Sequence, residues 1–253
     1  MHIDPRLKII ALIIIAAIAV VFSLDPIAQN PDYHNFADQR RFLNIVHFYN
    51  VLSNVPLVVI GMMGIRQLML HQESGGLEPL RLLYLTFFAG VFLTGSGSMY
   101  YHLEPNHHTL LWDRLPMTFA FTAFFSAIVG EYVSIWLARR LFAPLLIAGM
   151  GSVLYWYATE LHGHGDLRAY ALVQFLPLVL IPIILWQFES KVNGDKYRWG
   201  VVGAYAIAKL MEVFDAEVYG VFGLLSGHSL KHLVAAVGVL IFYWGLREQI
   251  TSD

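Results

Sequence analysis

The chain has 253 residues, of which 57% are hydrophobic and only 13% charged, with a formal charge of -2 and a mean hydropathy of +0.59. That balance excludes an ordinary soluble domain and places the chain among integral membrane proteins; with no basic stripe or nucleic-acid motif, no nucleic-acid partner is expected. The absence of cysteine excludes disulfides and thiolate sites, so any metal has to be held by His, Asp or Glu.

A bilayer-spanning helix needs about 20 mostly apolar residues. The first such run is Leu7–Leu24, preceded by Arg6. It reads as a retained signal-anchor helix within residues 1–24, with a cleaved signal peptide as the alternative. The polar stretch DPIAQNPDYHNFADQRR follows, and then a core over residues 43–247. Its expected spans are Leu43–Ile65, Leu80–His102, Trp112–Leu137, Leu141–Thr159, Ala169–Phe188, Trp199–Phe214 and His228–Leu246, with a tight turn at Arg139-Arg140. Pro177 and Pro182 lie inside one of them, which membrane helices tolerate. The expected fold is a single all-α membrane domain over residues 1–253, with seven core helices plus one N-terminal helix, eight spans in all.

Orientation follows the Lys and Arg residues at the helix ends. Ten fall on the side of the termini (Arg6, Lys8, Arg66, Arg81, Arg139, Arg140, Lys191, Lys196, Arg198, Arg247) and five opposite (Arg40, Arg41, Arg114, Arg168, Lys231). Both termini are therefore expected in the cytoplasm.

Helix counting then makes a prediction that spacing alone cannot. The third span ends at His102, the fourth opens near Asp113 and the eighth opens at His228, all on the periplasmic or exoplasmic face. Ser98 and His102 are four residues apart and share a helix side, and His228 and His232 repeat the arrangement. Two imidazoles at that spacing can chelate one metal, and a third from His102 leaves one tetrahedral position open, the pattern of a catalytic zinc site. A lone histidine at a helix end is ordinarily an interfacial hydrogen-bonding residue, and spacing alone leaves that reading open. His107, His108, His162 and His164 are rivals on the same face, placed in polar loops as surface or entrance residues.

Other polar residues in the spans have two readings each. Lys209, Glu212 and Asp215 are expected to pair with one another, or else to orient a ligand imidazole, and Glu160 and Asp166 share that second option. Asn50, Ser53 and Asn54 are expected to hydrogen-bond between helices. Tyr100, Tyr101, Trp112, Tyr155 and Trp156 fit an interfacial belt. The run Gly95-Ser96-Gly97-Ser98 does not match a serine-hydrolase elbow.

Ser98-x-x-x-His102, Asp113 eleven residues on, and His228-x-x-x-His232 in the last helix together resemble the alkaline ceramidases, within the seven-helix membrane hydrolases that include progestin and adiponectin receptors. The segment WDRLPMTFAF is closer to the hydrolases than to the receptors. The resemblance implies that His102, His228 and His232 bind Zn2+, and that Asp113 and Ser98 contact the attacking water or the substrate. The implied reaction is hydrolysis of the N-acyl bond of a ceramide-like membrane lipid to a fatty acid and a sphingoid base. A related ester hydrolase, or a receptor-like protein with a structural zinc site, is the alternative. Eukaryotic members carry an acid-rich Ca2+-binding segment before the first core helix. Here PDYHNFADQRR offers Asp32, Asn35 and Asp38 beside two arginines, a departure that argues against calcium. The extra first span points to a bacterial-type member.

Overall fold

A computed structural model of the chain describes residues 4–70 and 76–248. Within them the fold is all-α. The helices are α1 (Pro5–Ser23), α2 (Phe48–Leu52), α3 (Val55–Leu70), α4 (Arg81–Leu103), α5 (His107–Ile128), α6 (Ile135–Leu161), α7 (Arg168–Gln187), α8 (Asp195–Val213), α9 (Asp215–Phe222) and α10 (Gly227–Glu248). The main packing joins α4 to α3 and α5, α5 to α6, and α8 to α10. Phe87, Phe88, Phe124 and Phe242 stand at the centre of the larger core.

Seven segments among the described residues are long and apolar enough to cross a membrane: α1, α2 with α3, Glu78–Leu103, His107–Val133, α6, α7 and α10. The bundle is thus a multi-pass membrane architecture. The eighth expected span, Trp199–Phe214, falls in α8, which is not among the seven because Asp195, Lys196, Arg198, Lys209 and Glu212 dilute it. Even so, α8 runs antiparallel along α10, with Tyr197 against Gly245, Ala204 against Gly238 and Met211 against Gly227.

Three boundaries differ from the sequence expectation. The span expected from Leu43 starts at Phe48, because Leu43, Asn44 and His47 adopt left-handed backbone and Phe42 bridges back to Ile45. It also breaks at Ser53-Asn54, where both side chains bond the Asn50 carbonyl. The span expected from Trp112 begins at His107, since Asn106 and Thr109 form a reciprocal cap. The turn expected at Arg139-Arg140 lies instead at Ser134, after a π-helical segment Val129–Val133. Ser134 caps α6 through the Leu137 amide, and both arginines continue the helix, with Arg140 4.2 Å over the Trp136 ring. Arginine is a good helix former, so charge alone was a poor turn signal.

That π-helical segment carries a buried ionic latch. Glu131 and Arg198 are both fully buried and paired at 2.9 Å, and the Tyr84 hydroxyl donates to the same carboxylate at 2.7 Å. It ties α4, α5 and α8 together away from the histidines.

Candidate functional site

The ends of α4 and α10 bring His102, His228 and His232 together, all buried, with one ring nitrogen from each within 4.8 Å of the others. Nε2 of His102 and Nε2 of His228 are 3.3 Å apart, and Nδ1 of His102 is buried with no partner. Phe36, from the loop after α1, covers the cluster, its ring centroid 4.7 Å from that of His102 and 4.4 Å from that of His228.

The histidines are held by specific contacts. Ser53 Oγ is 2.9 Å from His232 Nδ1 and also donates to the Asn50 carbonyl at 3.1 Å. Asn54 Nδ2 is 3.2 Å from the same Nδ1, so two side chains from the α2–α3 break hold this edge of the ring. Asp215 accepts from the His228 amide at 2.7 Å and the Ala37 amide at 2.9 Å, capping α10 and pinning the covering loop. The His102 carbonyl accepts from His47 Nδ1 at 3.1 Å.

Ser98 sits one turn before His102 on α4 and faces the same cavity as Asp113 on α5. Gly97 permits the approach of the two helices, since a Cβ there would overlap the Trp112 carbonyl. Ser98, Asp113 and His232 line a common cavity of about 310 Å3 with Asn54, Arg114, Lys209, Glu212 and Lys231. Lys231 is 3.0 Å from Glu212, which also pairs with Lys209 and accepts from the Tyr33 hydroxyl at 3.4 Å. Arg114 donates to Gln29 at 2.6 Å and lies over the Trp156 ring at 4.4 Å. Leu57, Thr94, Met117, Gln174, Tyr205 and Ala235 also line an adjoining, almost wholly apolar chamber between α4, α5, α7, α8 and α10.

The rival histidines stand apart from the cluster. His107 Nδ1 is 2.9 Å from His34 Nε2, His108 bonds the Tyr157 hydroxyl, and His162 and His164 bond nearby carbonyls. His34 also touches the Tyr101 hydroxyl, and partial burial, aided by His107, lowers its pKa to about 4. Glu160 accepts from the Gln29 amide and the Trp156 indole, and Asp166 pairs with Arg168, so neither orients a ligand imidazole. Asp215 does not pair with Lys209 and Glu212. Tyr100, Trp112 and Tyr155 are exposed, as a belt requires, but Tyr101 and Trp156 belong to a second buried core. Arg40 occupies both Asp38 oxygens, and Asn35 bonds Asp32, in the segment weighed for calcium. Sequence reading missed His34, His47, Phe36 and Gln29, whose roles arise only when the loop after α1 folds over the helix ends.

The Ceramidase family model matches residues 41–248, which contain all three histidines, Ser98 and Asp113. The chain belongs to the ceramidase family. Membership implies an amide hydrolase with a ceramide-like lipid substrate, and the buried three-histidine cluster of this ceramidase-family chain can hold a metal. A search of curated proteins finds no match.

Proposed function

We propose that the chain is a zinc-dependent amidase that hydrolyses the N-acyl bond of a ceramide-like lipid inside the bilayer. The observation that carries this reading is the cavity lined by His232, Ser98 and Asp113, which shares Leu57, Thr94, Met117, Gln174, Tyr205 and Ala235 with a neighbouring apolar chamber. Three imidazoles, with no cysteine in the chain, suit zinc with an open fourth position. Bound there, zinc would supply Lewis acidity to the amide carbonyl and to water.

His102, His228 and His232 would hold the metal, and Ser53 and Asn54 orient the His232 ring through Nδ1. Asp113 accepts a proton from the attacking water as its oxygen bonds to the amide carbon. It returns that proton to the amine nitrogen as the C–N bond breaks, giving a fatty acid and a sphingoid amine. Ser98, which lines the same cavity as Asp113, turns its O–H toward the carbonyl oxygen as negative charge develops. The apolar chamber takes the acyl chain and keeps bulk water from it.

In the proposed topology α8 crosses beside α10, both termini are cytoplasmic and the site opens to the opposite face, as the Lys and Arg distribution favours. A cysteine at Asn106 labelled only from inside the cell would overturn that orientation.

The deciding experiment measures fatty-acid release by the purified protein from ceramides, other N-acyl lipids and phospholipid esters, with and without a zinc chelator. Chelator-sensitive release from ceramides is expected, and Asp113→Asn should abolish it while retaining zinc. Zinc binding with no release from any lipid would sink the amidase reading.

A further inference from the structure

Each helix around the cavity changes character along one face. On α4 the series Ser98, Thr94, Val91, Phe87 steps back by four, three and four residues, staying on one side of the helix. On α5 the series Asp113, Met117, Ala120, Phe124 steps forward by four, three and four. Both run from a polar residue at the reacting end to a phenylalanine eleven residues away. At about 1.5 Å rise per residue the two helices independently give a depth of about 16 Å.

The two phenylalanines meet at the far end. The rings of Phe87 and Phe124 have centroids 5.5 Å apart, and Phe242 closes the triangle at 5.0 Å from Phe87 and 5.2 Å from Phe124. Phe242 is fully buried behind them and does not line the chamber, so the three rings form a backed floor. With C–C bonds of about 1.5 Å at tetrahedral angles, an extended acyl chain advances about 1.25 Å per carbon and reaches a floor about 16 Å away after about 13 carbons.

We infer that Phe87 and Phe124 set an upper limit on acyl length, at about 14 carbons counted from the carbonyl. The inference rests on the proposed amidase reading for the position of the carbonyl, between Ser98 and Asp113. Val91 stands one turn nearer the reacting end than Phe87 on the same face. An aromatic ring there raises the floor, and removal of the Phe124 ring lowers it.

The test uses the full-length protein in nanodiscs with ceramides of acyl length from about 6 to 24 carbons, reading kcat/KM for each. Wild type should show a break above about 14 carbons, with at least a tenfold fall by about 20. Val91→Phe should move the break shorter by about four carbons, one helical turn, and Phe124→Ala should move it longer. Since Phe124→Ala empties a core position, Phe124→Leu serves as the milder second variant. Stabilisation of the metal-free protein by free fatty acids of graded length gives a readout independent of turnover, and should stop rising at the same length. A wild-type profile with no break, or a break unmoved in both directions, overturns the inference. No hydrolysis at any length, with fatty-acid stabilisation still levelling off near 14 carbons, would overturn the amidase reading and uphold the floor. Continuous stabilisation to about 20 carbons would overturn the floor.

Discussion

Ser53 Oγ stands 2.9 Å from Nδ1 of His232, at the break between α2 and α3 and across from α10. A helix break thus positions a hydroxyl, with the Asn54 amide 3.2 Å from the same nitrogen, against an imidazole of the three-histidine cluster. Such partners are worth about 10–100-fold in metal affinity. Ser53→Ala should weaken zinc binding by about that factor, measured by competition with a chromogenic chelator.

Asp215 joins α10 to the loop over the cluster through the amides of His228 and Ala37. Asparagine offers one acceptor oxygen and turns an NH2 group toward the second amide. Asp215→Asn should lower stability by about 1–3 kcal/mol, read as a reduced unfolding midpoint, and reduce metal occupancy. Unchanged occupancy would show that the cap is dispensable for the cluster.

Gly97 lets α4 lie against the Trp112 carbonyl, beside Ser98 and Asp113. Gly97→Ala must push the two helices apart. Ceramide hydrolysis should fall by more than about tenfold through misplacement of reacting groups, and zinc affinity should fall less, because two of the three histidines lie on α10, outside the displaced α4–α5 contact. Full activity in this variant would argue against a shared role for Ser98 and Asp113.

Glu131 and Arg198 form a buried pair remote from the histidines. Removing one partner leaves an unpaired buried charge, at a cost of about 3–5 kcal/mol. Arg198→Met alone should destabilise strongly, and adding Glu131→Leu should recover much of the loss. A double-mutant cycle on unfolding midpoints measures the difference.

Asp166 accepts two hydrogen bonds from the Arg168 guanidinium, at 2.9 and 2.8 Å, which lower its pKa to about 2. A depressed carboxylate stabilises the fold above its unfolded value, and that stability is lost as pH falls through the folded value. Asp166→Asn should therefore lower the unfolding temperature at pH 7, with the gap to wild type shrinking between about pH 4 and pH 2. A gap constant over that range would contradict the ion-pair account.

The apolar runs made the bundle legible, because a membrane span announces itself by length and composition. His102, His228 and His232 were legible through i, i+4 spacing combined with helix counting. What stayed hidden depended on long-range placement. Ser53 and Asn54 read as ordinary interhelical polar residues, and only the break after Leu52 reveals that their partner is His232. The turn at Ser134 was masked because Arg139 and Arg140 drew attention as charges, whereas the extended serine ends the π-helical segment. Phe36 and His34 carried no periodic signal, since loop residues acquire a role only from the surface they cover.

The charges of α8 have a consequence for how the protein enters its membrane. On the proposed topology, Lys209 and Glu212 lie in the last part of α8, and together with Asp195, Lys196 and Arg198 they leave the segment poorly apolar for insertion alone. Lys231, the second cation on Glu212, lies on α10 and leaves the ribosome 19 residues later. Before then α8 has neither its full charge partner nor the small-residue face of α10 against Ala204 and Tyr197. The last two long helices therefore enter lipid as a hairpin, so a released chain truncated after Phe222 leaves α8 at the membrane surface, accessible to protease.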